Sequence, residues 1–288
     1  MKRITIAGLF LVALALGAVT ASSAMAEEIP PEYGQCLAQK KGDYGNNTCT
    51  VEAAKEHHGK YEWHPGPPNT CIAVKKGNYT NKTCTTEAAK KGTGKFEKEP
   101  GAKYTSSTGP GKLEAPLLAN PVECETSEGF GEITGVTTAT NTTIFKNCQI
   151  GGKVCHNRGT NEIETKKLEL FLIGHEGPNP PGYGALKPIQ GEVWTQFSGP
   201  GGRSGPSAEW ECAGIGKSRT VGWLDSKTTP INKMGTTATF EFSESLGEFG
   251  VLLTEVNTGG GWGAPAKSIE DLLGTNKSEA KIETRIQN

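Results

Sequence analysis

Along most of the chain, apolar and polar residues alternate instead of recurring every third or fourth position. In Thr236-Thr-Ala-Thr-Phe-Glu-Phe242, Ala238, Phe240 and Phe242 fall on one face, and Thr237, Thr239 and Glu241 on the other. That is the period-two signature of a half-buried strand. Ala280, Ile282, Thr284 and Ile286 alternate in the same way. From Thr105 onward, runs of this kind are separated by Gly, Pro and Asn, and they predict strands over 112–118, 121–125, 131–140, 142–149, 161–165, 167–173, 191–197, 207–212, 219–224, 235–243, 250–256 and 279–286. One helix is predicted in this half, Ser268-Ile-Glu-Asp-Leu-Leu-Gly274, with Ser268 as its cap. Many short strands without crossover helices predict a mainly β fold, an antiparallel β-sandwich or barrel over 112–288. A Ser/Thr/Gly/Pro segment, 105–111, reads as the linker into it.

The first 26 residues break this pattern. Lys2 and Arg3 precede an apolar run from Ile4 to Val19, and small residues follow up to Ala24-Met-Ala26. The run is shorter than the roughly 20 residues needed to span a bilayer, and the ending fits a cleavage site. Residues 1–26 are therefore expected to be a secretory signal peptide. Losing Lys2 and Arg3 with it takes the formal charge from -1 to -3. No later segment is apolar for long enough to span, so no membrane association is expected after cleavage.

Residues 27–104 contain an internal repeat. Cys36 to Gly66 matches Cys71 to Gly101 at about 19 of 31 positions, with a displacement of 35 residues. A piece of this size buries too little apolar surface to offset its chain entropy without a covalent staple. The simplest pairing is Cys36 with Cys49 and Cys71 with Cys84; pairing crossed between the units is the alternative. Gly-x-Tyr-x-Asn reads as a turn within each loop. Thr50 and Thr85 read as N-caps of a short helix through Glu-Ala-Ala-Lys, followed by a Gly-Lys-Tyr/Phe-Glu strand that Pro-Gly ends.

Composition narrows the function classes. Apolar residues make up 34% of the chain, Gly and Pro number 39 and 17, and the net charge is near zero. A nucleic-acid binder would need a dense basic face, so that class is not expected. The charge divides into a mildly basic 27–104 and an acidic 105–288.

The candidate chemistry is sparse. Metal ligands usually lie two to four residues apart, whereas these cysteines lie thirteen apart, so no metal site and no cofactor are expected. His57, His58 and His64 cluster, but the second unit has Gly92, Thr93 and Glu99 at those positions, and solvated surface is the better reading. In the β half, Cys148 is expected to pair with Cys155 across the Gly151-Gly152 turn, which leaves Cys124 for Cys212. A Cys155–His156 nucleophilic pair fails because neighbours on a strand point to opposite faces. Gly201-Gly-Arg-Ser-Gly205 is neither a nucleophile elbow nor a phosphate loop, and His175-Glu176 lacks the second histidine of a zinc protease. No catalytic residue is assigned, and a non-enzyme is favoured. Glu123, Glu125, Glu128 and Glu132 could supply a glycosidase pair, which keeps a secreted glycan hydrolase as the alternative. Asn46, Asn78, Asn81, Asn141 and Asn276 open glycosylation triplets.

Trp262, in Asn257-Thr-Gly-Gly-Gly-Trp-Gly263, is the first candidate for ligand binding, because an indole on a Gly-rich loop makes a stacking platform. Trp63 is the second. The pattern Cys-x5-Gly-x-Tyr-x-Asn-x2-Cys-Thr followed by Gly59-Lys-Tyr-Glu-Trp-x-Pro-Gly66 resembles cysteine-containing repeats in secreted proteins of high-GC Gram-positive soil bacteria. The resemblance implies export and a surface repertoire but no reaction; Lys98 in place of Trp63 departs from it. The expectation is a secreted or cell-surface binding or structural protein, with cell-wall or extracellular polysaccharide or another surface protein as its partner.

Overall fold

The computed structural model describes residues 31–67, 69–81, 84, 86–173, 193–202, 205–242 and 250–285. The expected signal peptide, Thr85, His175-Glu176 and Arg203-Ser204 lie outside them. The described residues form nineteen strands and no helix. They are β1 (Glu32–Gly42), β2 (Gly59–Pro65), β3 (Asn69–Gly77), β4 (Gly94–Pro100), β5 (Ala102–Thr108), β6 (Gly111–Glu114), β7 (Val122–Cys124), β8 (Thr126–Ile133), β9 (Thr138–Lys146) and β10 (Gln149–Ile150). The chain continues through β11 (Lys153–His156), β12 (Glu162–Glu164), β13 (Leu168–Ile173), β14 (Val193–Ser198), β15 (Pro206–Cys212), β16 (Gly216–Thr229), β17 (Gly235–Phe242), β18 (Gly250–Asn257) and β19 (Ala266–Arg285).

All but β3 and β4 belong to one large antiparallel sheet that curls into a near-closed ring. Pairings run from β5 through β8, β9, β13, β14, β16 and β17 to β19, which pairs with β5 again. A second circuit lies beside the first, from β19 through β6, β7, β10, β11, β15, β16 and β18 back to β19. The long strands β16 and β19 serve both circuits, so the two share one wall.

The alternation read from sequence has the right phase. Phe240 and Phe242 point inward and pack with Leu272, and Phe197 lies edge-on to Phe242 with ring centroids 5.1 Å apart. A second cluster joins Tyr33, Ala102, Tyr104, Ile133, Ala139, Leu168, Leu170, Leu172 and Val193.

Three expectations about secondary structure are corrected. Residues 268–274 are extended within β19, not helical, because β6, β17 and β18 supply partners on both of its edges. The linker at 105–111 is strand through Thr108: β5 is held between β8 and β19. The helix after Cys49 is also absent. The Asn46 side-chain oxygen accepts from the Thr50 and Val51 amides at 3.0 and 3.1 Å, and Ala53 donates to the Asp43 carbonyl at 2.8 Å. These bonds take the backbone groups a helix would use.

The β1–β2 ladder and the β3–β4 ladder have matching registers. Gly42 faces Gly59 and Gly77 faces Gly94, each after the same irregularity. A side chain at Gly42 or Gly77 would meet a carbonyl at 2.0 or 1.9 Å, so only glycine fits there. β1 also pairs with the end of β19, Glu32 opposite Arg285, which ties the first hairpin to the large sheet.

Cys36–Cys49 forms as expected, and Cys84 is also disulfide-bonded; the side chain of Cys71 lies outside the description. In the β half the pairing is corrected to Cys124–Cys148 and Cys155–Cys212. The four cysteines lie in one row across the sheet, Cys124 in β7, Cys148 just before β10, Cys155 in β11 and Cys212 in β15. Cys148 and Cys155 are indeed cross-strand neighbours, but the Cys155 amide donates to the Cys148 carbonyl at 2.9 Å. Each therefore meets its other neighbour at the closely spaced, non-hydrogen-bonded position, with Cα atoms 4.1 Å apart, where a cross-strand disulfide fits best.

Candidate functional site

Inward-facing residues of both circuits line one cavity, and the first circuit lines a second, smaller one that shares Phe197, Phe240 and Asn276 with it. The larger of the two encloses about 120 Å³ of space in which the centre of a water molecule could move. One water needs on the order of 10–15 Å³ on that measure, so the space suits a small organic molecule. Its apolar wall includes Phe145, Phe197, Trp210, Phe240, Phe242 and Leu224. Its polar wall includes Ser106, Ser127, Asn141, Thr143, Thr220 and Asn276.

Most of the polar groups already have partners. Thr143 donates to the Asn141 side-chain oxygen at 2.8 Å, the Asn141 amide reaches the Tyr104 hydroxyl at 3.3 Å, and Ser207 bonds Thr220 at 2.8 Å. Two do not. The Trp210 indole Nε1–H and the Asn276 side-chain oxygen are buried and make no hydrogen bond among the described residues. Buried polar atoms are nearly always paired, so a free donor and a free acceptor lining one cavity are groups to which a ligand would bond.

Glu270 is the third polar feature. It sits on the inward face of β19 between Ser268 and Leu272, and it is the only carboxylate lining the cavity among the described residues. The residue is half-buried. Burial, with repulsion from Asp271 added, pushes its pKa up to about 7.

Elsewhere, burial raises a second carboxyl, Glu283, to about 7, with Arg285 opposing the shift. Glu283 has no accessible surface, and neither of its carboxyl oxygens makes a hydrogen bond among the described residues. The Arg285 guanidinium lies 5.0 Å from the ring centres of both Tyr44 and Trp63 and donates to the Tyr44 hydroxyl at 3.1 Å. This cluster latches the first hairpin onto β19.

The two tryptophans singled out from sequence lie away from the cavity. Trp63 donates its indole N–H to Glu32, packs over Gly34 and stands beneath Arg285. Trp262 is half-buried, with the Arg219 guanidinium 4.3 Å above its ring, and Arg219 is paired with Glu255 at 2.5 Å. His57 is exposed at a left-handed backbone position, φ 58°, with its Nδ1 2.8 Å from Asp43; the equivalent Gly92 has φ 77°. No group of metal-ligating side chains occurs among the described residues. Glu125 accepts from Asn147 at 2.7 Å and Glu128 pairs with Lys146 at 2.6 Å, while Glu123, Glu125 and Glu128 are exposed. Two of the glycosylation triplets, at Asn141 and Asn276, line the cavity.

Sequence reasoning missed Glu270 and the places of Asn276 and Trp210 on the cavity wall. Glu270 falls in the segment read as helix. The signal that could have found it is the phase of 280–286, which, carried back along β19, points every even residue inward.

In comparisons with known proteins, the chain matches no family model, no curated protein and no solved structure.

Proposed function

We propose that this is a secreted binding protein that holds a small, mainly apolar molecule inside its β ring. One observation carries the reading: the unpartnered Trp210 donor and Asn276 acceptor line the same aromatic-walled cavity. Such a mix of apolar wall and few convergent polar groups is the usual make-up of a small-molecule site. The disulfides point to an oxidising environment, and with the N-terminal leader they support export. The stapled units at 27–104 are read as two modules of one design, the first fastened to β19 by Arg285. Outward positions carry Glu128, Glu132, Lys227, Glu241 and Lys277, which is the reverse of a lipid-facing barrel.

The hydrolase alternative needs two carboxyl groups facing one cleft, and the described cavity lining offers only Glu270. The surface-polysaccharide reading rests on Trp262 and Trp63, each of which has an arginine against its ring.

Titration of the mature, oxidised chain with N-phenyl-1-naphthylamine tests the proposal. The expected result is saturable one-to-one binding with a blue-shifted emission, abolished by Leu224→Trp, which fills the cavity. Binding that does not saturate, or that Leu224→Trp leaves unchanged, would contradict it.

A further inference from the structure

The interior of the ring is electrostatically one-sided. Five aromatic side chains line it, Phe145, Phe197, Trp210, Phe240 and Phe242, and three of them are mutually packed with centroids 5.1 to 6.2 Å apart. Aromatic faces carry negative partial charge and attract cations. The remaining charged or free polar groups are the Glu270 carboxyl and the Asn276 oxygen, both acceptors when Glu270 is ionised, and the Trp210 Nε1–H, a neutral donor that carries no full positive charge. The only cation on the lining, Lys112, turns its ammonium to solvent and pairs with Glu114. An anion entering this space would find no counter-charge among the described residues, and burying a charge without one is costly.

We propose that the cavity takes an amine: an apolar body carrying a protonated or quaternary nitrogen, held among the aromatic rings with Glu270 as its counter-ion. This deepens the cavity reading and rests on it. Glu270 is flanked by Asp271 on its own strand. Lys112 and Glu114 come from β6, Glu123 from β7, and the neighbouring Leu252 and Phe242 of β18 and β17 are apolar. A carboxyl that titrates near 7 is half-charged at neutral pH. A bound cation would hold it ionised, so amine affinity should rise with pH through that range.

Calorimetric titration of the mature chain at pH 8 with benzyltrimethylammonium, benzylamine, benzyl alcohol and phenylacetate tests this. The two cations should bind about tenfold or more tighter than the alcohol, and phenylacetate should not bind. Glu270→Gln should bring the ratio of amine to alcohol affinity to about one while keeping alcohol binding. In the wild type, without any substitution, benzyltrimethylammonium should bind several-fold more weakly at pH 5.5 than at pH 8. Alcohol and amine binding equally to the wild type overturns the amine assignment and leaves the cavity reading standing. Phenylacetate binding as tightly as the amines overturns it as well, and so does Glu270→Gln that keeps the preference. No binding of any probe overturns both.

Discussion

At Glu270 the cost of burial depends on pH. The folded state holds the proton to about pH 7, whereas the unfolded chain releases it near 4.5. Between those values the unfolded state binds fewer protons, so stability falls as pH rises. Glu270→Gln removes that slope. In urea unfolding, the variant should match the wild type at pH 4 and exceed it at pH 8 by on the order of 1–3 kcal/mol; an unchanged slope would count against a raised pKa at Glu270. Gly222 makes a second residue-scale case. Its φ is 101°, and a Cβ there would lie 1.9 Å from the Val251 carbonyl oxygen. Gly222→Ala should cost on the order of 2–4 kcal/mol, read from the shift of the same unfolding curve.

Among the elements, β19 and the cysteine row organise the rest. β19 pairs with β1, β5, β6, β17 and β18, so a chain ending before Ala266 should lose cooperative unfolding altogether. Peptide mapping under non-reducing conditions should recover Cys124 joined to Cys148 and Cys155 joined to Cys212. A Cys148–Cys155 peptide would refute the register. Replacing Cys155 and Cys212 together by serine opens the longer loop, 57 residues against 24 for Cys124–Cys148. It should cost roughly 4 kcal/mol, against roughly 3.5 for the other bridge. Legibility differed between elements for a physical reason. In β17 the inward residues include Ala238, Phe240 and Phe242, and the sequence pattern identifies both the strand and its phase. In β5 and the first part of β19 the inward residues include Ser106, Thr108 and Glu270, which face a partly polar cavity and not a dry core, and Ser268, which is buried against the Thr254 hydroxyl. Alternation disappears where the inside is polar, and local propensity then suggests a linker or a helix. The disulfide partners were illegible for another reason: three connectivities fit four cysteines, and only the hydrogen-bonding register of the ladder separates them.

For the molecule as a whole, a chain with few apolar residues is held by one curled sheet, closed nearly on itself and stapled by disulfides. Its inward face serves as core over most of its area and as a lined cavity where the two circuits meet. The central claim is that ligands enter this cavity and do not stack on surface indoles. The five tryptophans give five indole N–H signals in a nitrogen-15 NMR spectrum of the mature chain. On saturation with benzylamine at pH 8, the Trp210 Nε1–H signal should move, while those of Trp63 and Trp262 should stay in place. Movement of the Trp63 or Trp262 signal with Trp210 unchanged would contradict the account.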